Sequence, residues 1–490
     1  MRQARINKLR LLKERGTDPY PACISFDVSG INEVKLAFKK YAASGKRVGI
    51  AGRVMSRRVH GGSAFLDIFD GSERLPAGKA GLQIFLGRDK LGEKSYSLLT
   101  DALDTGDFVA VYGRVFYTKR KEPTIEAAKW EMLAKTLLPL PEKWHGLQDI
   151  EERFRKRYLD MLMNPEVRER FNLRSKLVFE LRSILDKFGY VEVETPILQP
   201  LYGGALAEPF KTRHRMLGMD MYLRIAPELY LKRLLAGGMT KIYEIGKNFR
   251  NEGMDATHNP EFTTIELYEA YKNADYLKEF IAGILSGLIK KVLARNTFKF
   301  GGQIIKFGKV IPSVPFWQVV ERYALIPNAA NISRDDAALY ARRFGLNPAQ
   351  NDIKEKIALE IFSKICRPKI IQPTFVVNYP VEVSPLAKYA NGSDRIVDRF
   401  QMIVAGIELI NGFTELNDPL DQRKRFEDHA ELQKKEDKEA HPMDEDFIET
   451  LEYGMPPAAG LAVSIDRLTM LLTDTHNIKE VILFPTMKPR

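Results

Sequence analysis

Between Arg47 and Leu133 the apolar residues recur with a period of two, and this narrows the possible folds more than any other feature. Val48-Gly-Ile-Ala-Gly-Arg-Val54, Ala64-Phe-Leu-Asp-Ile-Phe69, Leu82-Gln-Ile-Phe-Leu86 and Phe108-Val-Ala-Val-Tyr-Gly-Arg-Val115 are short alternating runs separated by turn residues. Alternation sends successive side chains to opposite faces, so each run predicts a strand with one buried face. Trp130-Glu-Met-Leu133 is a candidate fifth strand. Five short strands in about 95 residues fit a small closed barrel of the oligonucleotide-binding kind. Strand count alone also fits a generic β-sandwich.

The rest of the chain divides around this block. Residues 1–44 read as a basic helical hairpin turning at Gly16-Thr-Asp-Pro-Tyr-Pro21. The strands occupy 45–140, and Pro139-Leu-Pro141 ends them. Residues 141–157 read as a linker that enters charged helical sequence at Ile150. From 158 to 490 amphipathic helices alternate with β-rich stretches. That length suits one large α+β domain, with a helical insertion at about 320–368 that carries no chemical signal.

Composition sets the setting. Lys and Arg number 75 against 64 Asp and Glu, a formal charge of +11 that favours a polyanionic partner but equally serves solubility. No apolar run approaches the ~18 residues a membrane span needs. The charged N-terminus lacks the apolar core of a signal peptide. Cys23 and Cys366 make neither a disulfide framework nor a zinc site, so a reducing cytoplasm is the expected compartment. GxxxxGK[ST], GxGxxG after a strand, HExxH and GxSxG are all missing. Any phosphate chemistry must therefore use side-chain cations.

Four segments carry chemistry. Phe188-Gly-Tyr-Val-Glu-Val-Glu-Thr-Pro-Ile-Leu198 reads as a helix end and then a strand carrying Pro196. Tyr243-Glu-Ile-Gly-Lys-Asn-Phe-Arg-Asn-Glu252, a loop to Pro260 and Glu261-Phe-Thr-Thr-Ile-Glu-Leu-Tyr268 read as strand, loop, strand, with Glu266 and Tyr268 on one face. Gly406-Ile-Glu-Leu-Ile-Asn-Gly-Phe-Thr-Glu415 is the third, and Gly454-Met-Pro-Pro-Ala-Ala-Gly-Leu-Ala-Val-Ser-Ile-Asp-Arg467 runs into an apolar helix.

These segments resemble the three signature motifs of class II aminoacyl-tRNA synthetases, most closely the lysyl-tRNA synthetase family. The resemblance is close to full-length and extends to Leu138-Pro-Leu-Pro-Glu-Lys-Trp-His-Gly-Leu147, Met221-Tyr-Leu-Arg-Ile-Ala-Pro-Glu-Leu-Tyr-Leu-Lys232, Glu382-Val-Ser-Pro-Leu-Ala387 and Val481-Ile-Leu-Phe-Pro485. It implies an α+β protein: an N-terminal OB-fold barrel that reads the anticodon, then an antiparallel-sheet catalytic domain flanked by helices, homodimeric through the Pro196 segment. It also implies ATP-dependent activation of L-lysine with Mg²⁺ and transfer of lysyl to tRNA(Lys).

Site residues follow from the same resemblance. Arg250 holds the α-phosphate and the substrate carboxylate. Arg467 meets the γ-phosphate and the adenine, with Phe262 across the ring, and Glu252, His258 and Glu408 complete the ATP site. Glu228, Tyr268 and Glu415 face the lysine ε-ammonium. Glu266 and the Gly203-Gly204 backbone hold the α-amino group, and Asn411 and Phe413 close the pocket. Phe65 and Gln83 match anticodon-reading positions, with Arg53, Arg57 and Arg58 as phosphate contacts, while Lys129 falls near an expected acid.

Three departures stand out. Gln401 occupies the place of a usual glutamate that pairs with Glu408 on Mg²⁺, which predicts weaker metal binding. Ala462 replaces a glycine of the last motif, and Glu208 replaces a usual basic residue. Three alternatives stand beside this reading: another ligase of the same fold specific for aspartate or asparagine; a lysine or β-lysine ligase acting on a protein such as elongation factor P, which Ala462 favours; and a catalytically weakened RNA-binding paralogue, which Gln401 and Ala462 favour.

Overall fold

A computed structural model describes residues 1–72, 81–141, 147–205, 207–434 and 442–489. Residues 142–146, inside the Leu138–Leu147 string, and Leu206 lie outside the described residues. The chain divides into two compact units, Met1–Glu169 and Arg170–Arg490.

In the first unit β1 (Arg47–His60), β2 (Ser63–Phe69), β3 (Leu82–Gly87), β4 (Phe108–Tyr117) and β5 (Pro123–Ala134) form a closed barrel in the order β1-β2-β3-β5-β4. Closure removes the sandwich alternative, because β4 returns to pair with β1 from Arg47↔Arg114 to Arg53↔Phe108. The fifth strand is longer than its Trp130–Leu133 core suggested. Alternate residues Ala64, Leu66 and Ile68 of β2 and Leu82, Ile84 and Leu86 of β3 fill the interior. The N-terminal helix Arg2–Glu14 packs Leu12 into the same core, and Ile31–Leu36 and Phe38–Ser44 are two further short helices. Ile150–Arg155 and Arg157–Met163 are helical as well and belong to this unit.

The second unit is built on an eight-stranded sheet. In chain order its strands are β6 (Val191–Glu192), β7 (Lys241–Phe249), β8 (Glu261–Ala270), β9 (Ser313–Pro315), β10 (Thr374–Pro380), β11 (Ile396–Val404), β12 (Ile407–Thr414) and β13 (Ala458–Ser464). Their spatial order is β9-β10-β11-β12-β13-β8-β7-β6. Pairing is antiparallel except at the two edges, β6 with β7 and β9 with β10. The long helix Ala274–Leu293 buries Leu277, Ile281, Leu285 and Leu288 against one face of the sheet, which leaves the other face free to hold a site.

Two details differ from the sequence expectation. Pro196 is not on a strand: it lies between two-residue strands at Val191–Glu192 and Leu198–Gln199. A proline has no N–H to give a ladder, so the strand stops short of it. The insertion holds helices Phe316–Ala324, Arg334–Arg343 and Lys354–Ile361, and ends in a π-helical turn, Phe362–Cys366.

Candidate active site

A cavity of about 400 Å³ opens on the free face of the large sheet. Strand alternation builds its wall. Phe262, Thr264, Glu266 and Tyr268 of β8 all line it, a row of about 20 Å at ~3.4 Å per residue. The adjacent strand faces them in register, Thr264↔Ser464, Glu266↔Ala462 and Tyr268↔Gly460. Gly204, Glu228, Arg250, Glu252, His258, Gln401, Glu408, Asn411, Phe413 and Arg467 line the same cavity. Of the residues assigned to ATP, lysine or metal, Gly203 and Glu415 do not.

The Phe262 end is cationic. Arg250 follows β7 directly, and its N–H donates to the Pro260 carbonyl (2.9 Å), closing the base of the 250–260 loop. Its guanidinium lies 5.1 Å from the Phe262 ring centre, and its buried Nε has no partner. Arg467 sits in the first turn of Ile465–Leu472, where the Ser464 hydroxyl accepts from its backbone N–H (3.2 Å). Buried Asp466 accepts from Thr263 N–H (2.7 Å) and Arg174 Nη1 (2.6 Å), fastening that turn to β8. Arg467 Nη1 donates to the Glu408 carbonyl (2.8 Å) and Nη2 lies 3.2 Å from His258 Nε2. A guanidinium only donates, so His258 Nε2 accepts and the ring proton sits on Nδ1, 2.9 Å from Asp255. Burial opposes the Asp255 charge, but hydrogen bonds from Thr257 and His258 prevail and hold its carboxyl at about 2. Burial also pulls the Arg467 guanidinium below its ordinary value; Glu408 opposes this, and Arg367 and Arg250 add to it. Clustered cations of this kind are relieved by an anion.

The Tyr268 end is acidic. Glu228 opens the helix Glu228–Ala236, and Lys232 follows one turn later on the same face. Lys232 is fully buried, with Nζ 2.6 Å from Glu228 Oε1 and 2.5 Å from Glu415 Oε2, beside the Phe413 ring. Burial would lower the Lys232 ammonium, yet the two carboxylates raise it, so it stays charged. It neutralises only one of three acids. Burial and the neighbouring Glu228 push Glu266 up to about 8, although the Tyr268 hydroxyl donates to it (3.2 Å). Burial raises Glu415 as well, and both its oxygens lack an aligned hydrogen-bond donor despite the Lys232 contact. Buried acceptors are normally satisfied, so this end lacks donors that a ligand can supply.

Glu415 is fully buried and does not line the cavity. It lies beside Gly460, where a Cβ would strike both the Tyr268 ring and Glu415 Oε1. Gly204 is also constrained: its φ is +84°, and a Cβ there would come within 2.9 Å of the Glu228 Cβ. Ala462 presents its methyl between Glu266 and Asn411, its partners on the two flanking strands. Glu208 touches the site through its backbone, its carbonyl accepting from Asn251 N–H (2.8 Å); nothing explains its side chain.

Three site residues escaped the sequence. Lys232 was inside a matching string, and its spacing from Glu228 was the available signal. Arg399 is buried in the cavity wall and donates to Asn411 Oδ1 (2.9 Å), the Val383 carbonyl (2.8 Å) and Ser384 Oγ (2.9 Å). Arg367 lines the cavity with Nη1 3.6 Å from Glu408 Oε2.

The metal expectation fares less well. Gln401 Oε1 already accepts from the Tyr379 hydroxyl (2.8 Å), and the Glu408 carboxylate faces Arg367. Among the described residues no three His, Cys, Asp or Glu group to hold a metal. One neutral, occupied oxygen and one carboxylate do not fit a resident Mg²⁺.

In the barrel Phe65 belongs to the outer face. It pairs with Phe85 (centroids 5.2 Å apart), and Arg58 lies 5.9 Å from its centre. Gln83 is on the same face, its Oε1 accepting from Thr124 Oγ1 (3.0 Å). Register places Glu126 opposite Phe85, so the last-strand acid is Glu126, and Lys129 pairs with Glu131 instead. Arg53 and Arg57 donate to the carbonyls of Gly106 and Thr100, leaving Arg58 as the outward cation of the three.

Comparison with known proteins agrees with both units. Residues 149–488 match the family model of class II tRNA synthetases (D, K and N), and 48–133 match the OB-fold nucleic acid binding domain. A lysine–tRNA ligase of Syntrophomonas wolfei is 43% identical over 100% of this chain and 97% of its own length. Those of Pelotomaculum thermopropionicum and Roseiflexus sp. are 44% and 45% identical, covering 95% and 99% of their lengths. With an anticodon-type barrel, a cation-and-acid cavity and such relatives along its whole length, the chain belongs to the lysine–tRNA ligases of the class II synthetase family.

Proposed function

We propose that this cavity joins the carboxylate of L-lysine to the α-phosphorus of ATP, and that the enzyme then passes lysyl to the 3′ end of tRNA(Lys). The supporting observation is one continuous cavity with guanidinium groups beside Phe262 and the carboxyl groups of Glu228 and Glu266 beside Tyr268. The nucleophile is a carboxylate, ionised at neutral pH, so no general base is needed. A carboxylate oxygen bonds to the α-phosphorus as the bond to pyrophosphate breaks. Both reactants are anions, and Arg250 and Arg467 offset their repulsion while aligning them. Glu252, His258 and Phe262 complete the nucleotide site. Glu228 and Tyr268 receive the ε-ammonium, with Glu415 adding its field from beside Gly460. Glu266 and the Gly203-Gly204 backbone take the α-amino group, and Arg399 orients Asn411 beside Phe413. An aspartate or asparagine side chain brings no cation to these acids.

Amino-acid-dependent ATP–pyrophosphate exchange with lysine, β-lysine, aspartate or no amino acid tests this. Exchange with lysine alone is expected; exchange with aspartate, or with none, sinks it.

Lysine binding should tighten with pH. Glu266 holds a proton up to about 8, and an arriving ammonium displaces it. Binding therefore releases a proton, and the lysine Kd falls by up to about tenfold per pH unit between roughly 6.5 and 8. Calorimetry in two buffers of different ionisation enthalpy reads the proton directly, and no release would refute the role of Glu266.

Magnesium arrives with the ATP substrate rather than as a resident ion. Gln401→Glu adds a carboxylate beside Glu408 and should lower the Mg²⁺ concentration for half-maximal exchange by roughly three- to tenfold. An unchanged requirement contradicts this.

Homodimerisation through the Pro196 segment is supported by the exposure of Phe188, Val191, Ile197 and Leu198, an apolar group that a second copy would cover. Light scattering showing a monomer at micromolar concentration would exclude it. For tRNA(Lys), Phe65, Phe85, Gln83 and Glu126 offer stacking rings and hydrogen-bonding groups to single-stranded bases. Cys23 and Cys366 are unpaired, which suits a cytoplasmic enzyme, and no described helix is long and apolar enough to cross a membrane. Fractionation of cells would test that location.

A further inference from the structure

Arg367 has an unusual position. It comes from the insertion, at the end of the π-helical turn Phe362–Cys366, yet it lines the cavity beside Glu408 and Arg467. Single π-turns recur at functional sites because the extra residue redirects a side chain. Its partner is poor: Nη1 lies 3.6 Å from Glu408 Oε2, beyond hydrogen-bond length. Its Nε is buried with no partner. A half-buried guanidinium whose Nε has lost water without gaining an acceptor is suited to an anion with several oxygens.

We propose that Arg367 is a third phosphate-binding cation, which exchanges its loose contact with Glu408 for oxygens of the β,γ-phosphates of ATP, or of pyrophosphate in the reverse reaction. This rests on the lysine-activation reading and deepens it. The insertion thereby supplies a working group to the site instead of only packing beside it. Because Arg367 serves the terminal phosphates, it distinguishes ATP from AMP.

Equilibrium binding of ATP, pyrophosphate and AMP to the full chain, alongside exchange kinetics, tests this with Arg367→Gln and Arg367→Lys. Losing a charge-assisted fork should weaken ATP and pyrophosphate roughly ten- to hundredfold. AMP affinity and the KM for lysine should stay within about twofold, and Arg367→Lys should recover part of the loss. An equal loss for AMP and ATP would mean a structural role and overturn the proposal, as would unchanged ATP binding. Should Arg367→Gln fail to fold, the ATP-to-AMP ratio of Arg367→Lys decides in the same way. A wild-type chain that binds ATP through Arg367 but shows no lysine-dependent exchange would keep this inference and sink the activation reading. A chain that binds no ATP sinks both.

Discussion

Arg250→Gln should lower lysine-dependent ATP–pyrophosphate exchange by roughly 10³-fold in kcat/KM. Its backbone is placed by the β7–β8 register and by the bond from its own N–H to the Pro260 carbonyl, and its guanidinium lies 5.1 Å from the Phe262 ring centre. Its Nε is buried without a partner, so no existing hydrogen bond of that atom must be broken to take up an anion. Glutamine keeps two polar atoms on a shorter side chain but removes the charge that offsets two approaching anions. Arg250→Lys should recover little, because an ammonium presents no planar fork. Both kcat and the KM for lysine should worsen; a change confined to KM would mean that Arg250 binds without assisting the transition state.

The second large effect is on stability. Lys232→Met should destabilise the folded chain by about 3–5 kcal/mol at pH 8, since two buried carboxylates lose their only close cation. The pH dependence identifies the cause. Unfolded glutamates titrate near 4.5, whereas burial already raises Glu228 and Glu415 above it in the intact protein, and loss of Lys232 raises them further. The folded variant therefore holds protons that the unfolded chain has released. Its deficit against wild type is full above the raised folded values and shrinks as pH falls toward 4.5. Thermal unfolding at pH 8 and pH 5.5 should show the gap narrowing at the lower pH. A gap independent of pH would point to lost packing against Phe413 and Phe447 instead.

Lys232 also shows where sequence reasoning stops. The barrel was legible because period-two alternation is local, and the Glu266–Tyr268 face was legible for the same reason. Glu228 and Lys232 are one helical turn apart and could be paired on paper. Glu415 could not: it reaches Lys232 only because β12 ends next to the helix Glu228–Ala236 in space. On paper Glu415 is a free pocket wall, whereas in the fold it is tied to Lys232 beside Gly460. Gln401 is a similar case: its residue type allows metal ligation, and only the fold shows Tyr379 donating to its oxygen. Arg399 and Arg367 sat in no quoted motif; only folding brings them to the cavity. Phe65 takes the outer face because Ala64, Leu66 and Ile68 fill the interior, which sets it against Phe85.

Gly460 bears on attempts to make such an enzyme charge bulkier amino acids onto tRNA. With no side chain at 460, the Tyr268 ring and the Glu415 carboxylate take up the space a Cβ would need. Enlarging residue 460 would displace both. Shortening Glu415 would instead open room beside Gly460 and free Lys232 from one counter-charge, favouring N-acylated side chains that carry no cation.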